Sequence, residues 1–187
     1  MSRFPRVPRH IFEPFVDPIV DALTPAFDRV VICGSLRRGL ATVSDIDVVV
    51  SGPHVSDVDI TSIISSITPV VSSSTFGANA RMEVVLDGGW HRVPVDVWIA
   101  EPDALGAAVL YATGSGTWNV IMRRWARANG MDVLFTGVWR DGRRVAAQTE
   151  ADCFSALGWP WQEPEDRCHR SRVAGMFVDR MDGASVE

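Results

Sequence analysis

Residues 30–50 constrain the fold of this chain more than any other stretch, because they set two acids at the start of a predicted buried strand. Residues 30–33 form a short apolar run that is typical of a covered strand. Residues 46–50 are mostly β-branched and predict a second strand that enters the core. Side chains alternate between the two faces of a strand, so Asp45 and Asp47 are expected to point the same way.

The glycine turn between these strands, Gly34-Ser35, carries groups that suit a phosphate. Its backbone N–H groups and the Ser35 hydroxyl can donate hydrogen bonds, and Arg37 and Arg38 add permanent positive charge. Two carboxylates at alternate strand positions repel each other unless a cation lies between them, and such hard oxygen ligands suit Mg²⁺ or Mn²⁺. The stretch therefore predicts a polyphosphate held by the turn and bridged by metal to the two acids. The competing interpretation is an ordinary strand–turn–strand with two solvated aspartates.

A third acid, Asp96, lies alone among β-branched residues in the predicted strand 90–100. An acid in such surroundings is costly if it is buried and unpaired. It becomes favourable if it faces the first two acids across the sheet, and we expect it to do so. An edge-strand aspartate facing water is the alternative. Glu83, on the predicted strand 81–86, is the other candidate for a third metal ligand.

Composition excludes some functions and compartments. The net charge of −5 over 187 residues argues weakly against tight nucleic-acid binding, because counterion release needs clustered positive charge. All 18 basic residues are arginine, so a Schiff base through a lysine side chain is excluded. The three widely spaced cysteines form no CxxC pair, and no apolar run approaches the roughly 18 residues of a membrane span. The N-terminus lacks the apolar core of a signal peptide, so we expect a reduced, cytoplasmic protein.

Hydrophobic periodicity predicts an α+β chain that changes character after residue 102. Strands dominate before that point, and helices with a short hairpin dominate after it. The polar segment from Asp166 onward predicts a loose tail. The predicted elements are, in order, helix 11–27, strands 30–33 and 46–51, helix 57–67, strands 69–73, 81–86 and 90–100, helices 104–112 and 117–128, strands 131–139 and 143–147, and helix 151–157.

Several motifs of the chain resemble those of the DNA polymerase X family, the group that includes polymerase beta. The segment CGSLRRG followed by SDIDVVV resembles the family's Gly-Ser-x-x-Arg-Gly and Asp-x-Asp signature, and VPVDVW resembles its third-aspartate strand. The segment YATGSGTWNVIMRRWA resembles its Tyr-Phe-Thr-Gly-Ser motif and the helix after it. RVPR near the start and EPEDR near the end resemble the family's palm entry and closing motif.

The resemblance implies a minimal form of the family with two lobes. Residues 1–102 would be a nucleotidyltransferase palm, a mixed β-sheet with helices on one face that carries the catalytic aspartates. Residues 103–187 would be a small α/β thumb that binds nucleotide and ends in the polar tail. The family's lyase and helix-hairpin-helix finger domains have no counterpart among the motifs.

The resemblance also implies a role for each matching residue. Both metals would be bound by Asp45 and Asp47, and Asp96 would bind the catalytic one and help to activate a primer 3′-OH. The nucleotide would contact Gly34, Ser35, Arg38, Arg6, Tyr111, Gly114, Ser115 and Asn119. Template DNA would contact Arg123, Arg124 and Arg127. Trp118 is a candidate stacking surface, although a bulky aromatic at helical spacing is more often part of a core.

The implied function is a DNA-directed DNA polymerase that fills short gaps during DNA repair, using two Mg²⁺ or Mn²⁺ ions. Its partners would be a deoxynucleoside triphosphate and primer-template or gapped DNA, with no membrane, and the protein would be a monomer. The alternatives are a template-independent nucleotidyltransferase acting on RNA, a protein or a small molecule, and a catalytically silent binding module. Ala112 and Gly116 depart from the family pattern, so ribonucleotide exclusion and fidelity are expected to be weakened.

Overall fold

The computed structural model of the chain describes residues 4–52, 58–76, 81–89 and 91–168. The chain divides into two compact units, residues 1–102 and 103–187, and each unit has its own hydrophobic core. The architecture is α+β, as the sequence predicted. Within the described ranges, no helix is both long and apolar enough to cross a membrane.

The first unit is built around a mixed sheet. Its elements in chain order are β1 (Val7–Pro8), α1 (Glu13–Leu23), β2 (Arg29–Ile32), α2 (Gly34–Arg37), β3 (Thr42–Val43), β4 (Ile46–Ser51), α3 (Ile60–Ser65), β5 (Val70–Phe76), β6 (Arg81–Asp87) and β7 (Arg92–Ala100).

Among the described residues, five strands form this sheet in the order β2-β4-β7-β6-β5, and β1 pairs separately with β3. The central strands β4 and β7 run parallel, while the neighbouring pairs are antiparallel. Alternate residues of the sheet pack in one core with apolar residues of α1 and α3, so these helices lie on one face. The sheet residues of that core include Ile46, Val48, Val50, Val84, Leu86, Val93, Val95 and Val97.

The second unit packs helices against a small antiparallel meander. Trp118, at 0% exposure, belongs to its core together with Phe154, so it is not available as a stacking surface. Its elements are α4 (Leu105–Thr113), α5 (Gly116–Ala128), β8 (Met131–Leu134), β9 (Gly137–Arg140), β10 (Arg143–Ala146) and α6 (Glu150–Ala156).

The continuous strand predicted over residues 131–139 is wrong. The chain turns after β8 and re-enters the sheet at Gly137, which makes three short strands instead of a hairpin. Gly137 has φ +147°, and a Cβ there would lie 2.8 Å from the Arg144 side chain. Only glycine suits this conformation and this close approach, so the turn depends on it.

The loose tail predicted from Asp166 is also wrong for the residues that the structure describes there. Asp166 ends a 3₁₀ turn (Pro164–Asp166), and Arg167 is fully buried against Trp118 and Phe154. The sequence reasoning missed this because a charged residue is almost never fully buried unless it is paired, and its partner lies 17 positions earlier. The rest of the predicted tail, residues 169–187, lies outside the described residues.

Candidate functional site

The acids singled out from the sequence meet on the face of the sheet opposite the helices. Asp47 of β4 and Asp96 of β7 are direct partners in the parallel pairing of those strands. Asp45 lies one residue before β4 and is half-buried like Asp47, whereas Ile46 between them is fully buried in the core. Glu83 is the partner of Asp96 on the other side, in β6. The alternation of side chains therefore brings the three predicted acids, and Glu83, to one surface.

Each of the three aspartates has a defined contact. Ser44 Oγ donates a hydrogen bond to Asp45 Oδ1 at 3.1 Å, and Trp98 Nε1 donates one to Asp47 Oδ1 at 3.1 Å. Arg81, at the start of β6, forms an ion pair with Asp96 Oδ2. Sequence reasoning did not single out Ser44, Trp98 or Arg81. Arg81 and Trp98 could not be found from the sequence, because the register between β6 and β7 decides what they contact.

Burial and mutual repulsion make the charged forms of these acids unfavourable. Burial, together with repulsion from Asp45 and Asp96, raises the pKa of Asp47 from 3.8 to about 7. Burial also raises the pKa of Asp96, although the Arg81 guanidinium opposes that rise. A cluster that resists holding its full negative charge gains most from a bound cation.

The glycine turn approaches Asp47 more closely than any other residue type would permit. Gly34 has φ +59°, and a Cβ there would lie 1.9 Å from Asp47 Oδ2. The backbone ties the two segments together, since Cys33 N donates a hydrogen bond to Asp47 O at 2.7 Å. Ser35, next in the chain, is buried. The turn and the first two acids are therefore held together by the fold itself.

Two buried oxygen atoms fit a site for divalent cations and phosphate. Ser35 Oγ and Asp96 Oδ1 have no hydrogen-bond partner within the described part of the chain. Buried polar atoms usually have such a partner, and a bound phosphate and cation would supply it here. The donor set is entirely hard oxygen, which suits Mg²⁺ or Mn²⁺. Over the same residues, no three acidic, histidine or cysteine side chains are gathered into a ready-made metal cage.

Of the two arginines predicted to bind phosphate, Arg38 directly follows the turn in the chain, whereas Arg6 lies beside Thr42. Arg38 follows α2, and its backbone N–H donates to Gly34 O at 3.2 Å. Arg6 is exposed, and its Nε donates to Thr42 Oγ1 at 3.1 Å. Because β1 pairs with β3, Arg6 lies beside the segment that leads into Asp45.

In the second unit, the predicted nucleotide-binding residues cluster around the junction of α4 and α5. Gly114 ends α4 with φ +69°, and Ser115 caps α5, its Oγ accepting a hydrogen bond from Trp118 N at 3.3 Å. Asn119 Nδ2 donates to Tyr111 O at 2.8 Å. Asn119 Oδ1 is buried and has no hydrogen-bond partner among the described residues, so its capacity to accept a hydrogen bond is unused there.

The arginines predicted to contact template DNA lie on α5 and differ in exposure. Arg123 is half-buried, while Arg124 and Arg127 are exposed. Arg127 forms a loose ion pair with Asp132, with 3.5 Å between Nε and Oδ1. Arg124 and Arg127 therefore place exposed positive charge on α5.

Two family models match the chain, one within each of the two units. A family model of the DNA polymerase beta palm matches residues 3–87, and one of the DNA polymerase beta thumb matches residues 108–168. The chain belongs to the DNA polymerase X family. DNA polymerase lambda from Rattus norvegicus is 28% identical to it over 89% of this chain, and the match spans 33% of that protein. The predicted X-family membership and α+β fold are confirmed.

The third acid of this X-family chain was predicted to face the first two, and the pairing of the central strands places it there. Asp96 lies in the gap between the two matched ranges. Its assignment to the same surface as Asp47 comes from the register of β4 and β7.

The raised pKa of Asp47 predicts a pH-dependent stability in the absence of metal. Since the pKa is about 7 when folded and about 4 when unfolded, the folded protein binds a proton that the unfolded chain has released. This contribution to stability is full below about pH 4 and is lost as the pH rises to about 7. In EDTA, the Tm of the parent should therefore fall relative to that of Asp47→Asn as the pH rises from 5 to 8, because asparagine carries no titrating proton. A difference that stays constant over this range would contradict the assignment.

Proposed function

We propose that this protein is a DNA-directed DNA polymerase that adds deoxynucleotides to a primer 3′-OH in short gaps during DNA repair. One observation carries the proposal: Asp47 and Asp96 are register partners on adjacent strands, and Gly34 lies against Asp47. Transfer of a nucleotidyl group requires mainly positioning and charge stabilisation around a polyphosphate. Three acids beside a glycine turn supply the means for both.

The aspartates would hold two Mg²⁺ or Mn²⁺ ions, Asp45 and Asp47 binding both and Asp96 binding one. Such ions, when bound, stabilise charge on the transferring phosphoryl group. The carboxylate of Asp96 would also accept the hydrogen bond of the primer 3′-OH and so favour loss of its proton. Ser44 supports this arrangement, because its hydrogen bond to Asp45 orients that carboxylate.

The phosphates of the incoming nucleotide would be held by the turn. The Ser35 hydroxyl would donate to a phosphate oxygen, which gives its buried Oγ the hydrogen bond that it otherwise lacks in the described structure. Arg38 and Arg6 would contribute charge-assisted hydrogen bonds to the same group. The chain uses arginine for this purpose throughout, since it has no lysine.

The second unit would contribute to recognition of the sugar and base. Gly114 and Ser115 would shape the sugar pocket with Tyr111, and Asn119 Oδ1 would accept a hydrogen bond from the nucleotide. Ala112 stands where the family has an aromatic residue, so discrimination against ribonucleotides is expected to be weak. Arg123, Arg124 and Arg127 would contact the phosphate backbone of the template.

Primer extension on a duplex with a one-nucleotide gap tests the proposal. With Mg²⁺ or Mn²⁺, the parent protein should insert the complementary deoxynucleotide in preference to the other three. Equal insertion of all four, or activity on single strands only, would favour the template-independent nucleotidyltransferase. The net charge of −5 is compatible with that alternative, because it argues weakly against tight binding to DNA. No insertion with either metal, despite measurable nucleotide binding, would indicate a silent binding module.

A further inference from the structure

We propose that the Arg81 guanidinium neutralises the Asp96 carboxylate in the metal-free protein and is displaced from it when a divalent cation binds. Arg81 is then a positioning residue that sets the apparent metal affinity of the site. This inference rests on the proposed function, because it concerns the same acids, but it adds a residue that neither the motifs nor the family matches single out.

The register of the sheet brings Arg81 to Asp96. Arg81 of β6 is the direct partner of Trp98 in β7, which is two residues beyond Asp96 and shares its face. The guanidinium reaches back along that face to form the ion pair with Asp96 Oδ2. The Asp96 side chain is 7% exposed and that of Arg81 is 33% exposed, so one partner is buried and the other borders water.

This arrangement makes Arg81 and a metal ion competitors. A divalent cation on Asp96 would lie beside a permanent positive charge in a poorly solvated site, where like charges repel strongly. A cation on Asp96 Oδ1, the oxygen without a hydrogen-bond partner in the described structure, would still share one carboxylate with the guanidinium on Oδ2, so the two cations compete for Asp96. A ligand that must displace an internal competitor binds more weakly, in proportion to the fraction of molecules in the open state.

Trp98 couples the ion pair to the neighbouring acid. The Arg81 Cζ atom lies 4.9 Å from the centroid of the Trp98 ring, within the range of a cation–π contact. The same indole donates its N–H to Asp47 Oδ1. Displacement of Arg81 would uncover the ring, so Trp98 should report metal binding through its fluorescence.

Direct Mn²⁺ binding, measured by electron paramagnetic resonance of the free ion, tests the competition without any enzymatic reaction. Arg81→Gln should bind Mn²⁺ about tenfold more tightly than the parent protein. Arg92→Gln is the matched control: Arg92 forms an exposed ion pair with Asp87 in the same sheet, and its loss should leave the affinity unchanged. In addition, Mn²⁺ should change the fluorescence of the parent, and Trp98→Phe should abolish that change.

The outcomes separate this inference from the proposed function. If the parent and Asp47→Asn both fail to bind Mn²⁺, the metal site and the proposed function are refuted together. If the parent binds Mn²⁺ but Arg81→Gln binds it equally or more weakly, only the role of Arg81 is refuted. Should Arg81→Gln fail to fold, the fluorescence of the parent still decides, because Mn²⁺ binding with no response from Trp98 would overturn the displacement.

Discussion

Replacing Asp47 with asparagine should lower nucleotide insertion about 10³-fold or more, because the site loses one of its anionic ligands where charge stabilisation dominates the chemistry. The fold should survive, since burial and neighbouring acids make the charged form of Asp47 unfavourable in the metal-free protein. The loss of activity should therefore come with equal or greater thermal stability at pH 8. Single-turnover insertion into a one-nucleotide gap and thermal unfolding in EDTA measure the two effects.

The matched control for this experiment is Asp21→Asn. Asp21 is exposed on α1, and the change removes the same charge without touching the sheet. Its insertion rate should equal that of the parent. The proposed role of Asp47 would be wrong if Asp47→Asn inserted nucleotides at the parental rate, or if it lost activity only in parallel with unfolding.

Replacing Arg167 with methionine should destabilise the second unit by about 3–5 kcal/mol, the typical effect of breaking a buried ion pair. Arg167 is fully buried, and its Nη1 donates to Glu150 Oε1. Its Nε and Nη2 both donate to Gln162 O at 3.1 Å. The guanidinium carbon also lies 5.8 Å from the ring centroid of Trp118, and it lies 5.2 Å from that of Phe154. Urea unfolding followed by tryptophan fluorescence measures the change.

The consequence should reach the proposed nucleotide-binding residues. Ser115 N donates a hydrogen bond to Arg167 O at 3.2 Å, so the segment held by the guanidinium also supports the N-cap of α5. The control is Arg127→Met, which removes an exposed ion pair with Asp132 and should cost less than about 1 kcal/mol. The double variant Arg167→Met, Glu150→Gln should recover part of the lost stability, because it removes the buried charge that Arg167 balances. An effect of Arg167→Met no larger than that of Arg127→Met would rule out a stabilising role for the buried Arg167–Glu150 ion pair.

The sequence patterns predicted most of the helices and strands near the acids, because these patterns involve residues only a few positions apart in the chain. The β-branched run at β4 and the alternation of Asp45 and Asp47 around Ile46 predicted a strand with two acids on one face. The capping serine at residue 115 and the apolar spacing after it are compatible with the helix that forms there. By contrast, the predicted strand over 131–139 was wrong, since β-propensity does not show where Gly137 turns the chain.

By itself, the sequence determined which residues are candidates for the proposed chemistry: the acids, the glycine turn and the arginines all lie in short motifs whose periodicity and turn residues act locally. Only the tertiary structure decided which of them meet. The register of β4, β7 and β6 set Asp47 beside Asp96 and brought Arg81 and Trp98 to the same acids. The folding of the second unit buried Arg167, which the sequence had suggested was part of a tail. The physical reason is that strand register and ion-pair burial depend on how whole surfaces pack, and a slip of one residue would turn every side chain to the other face.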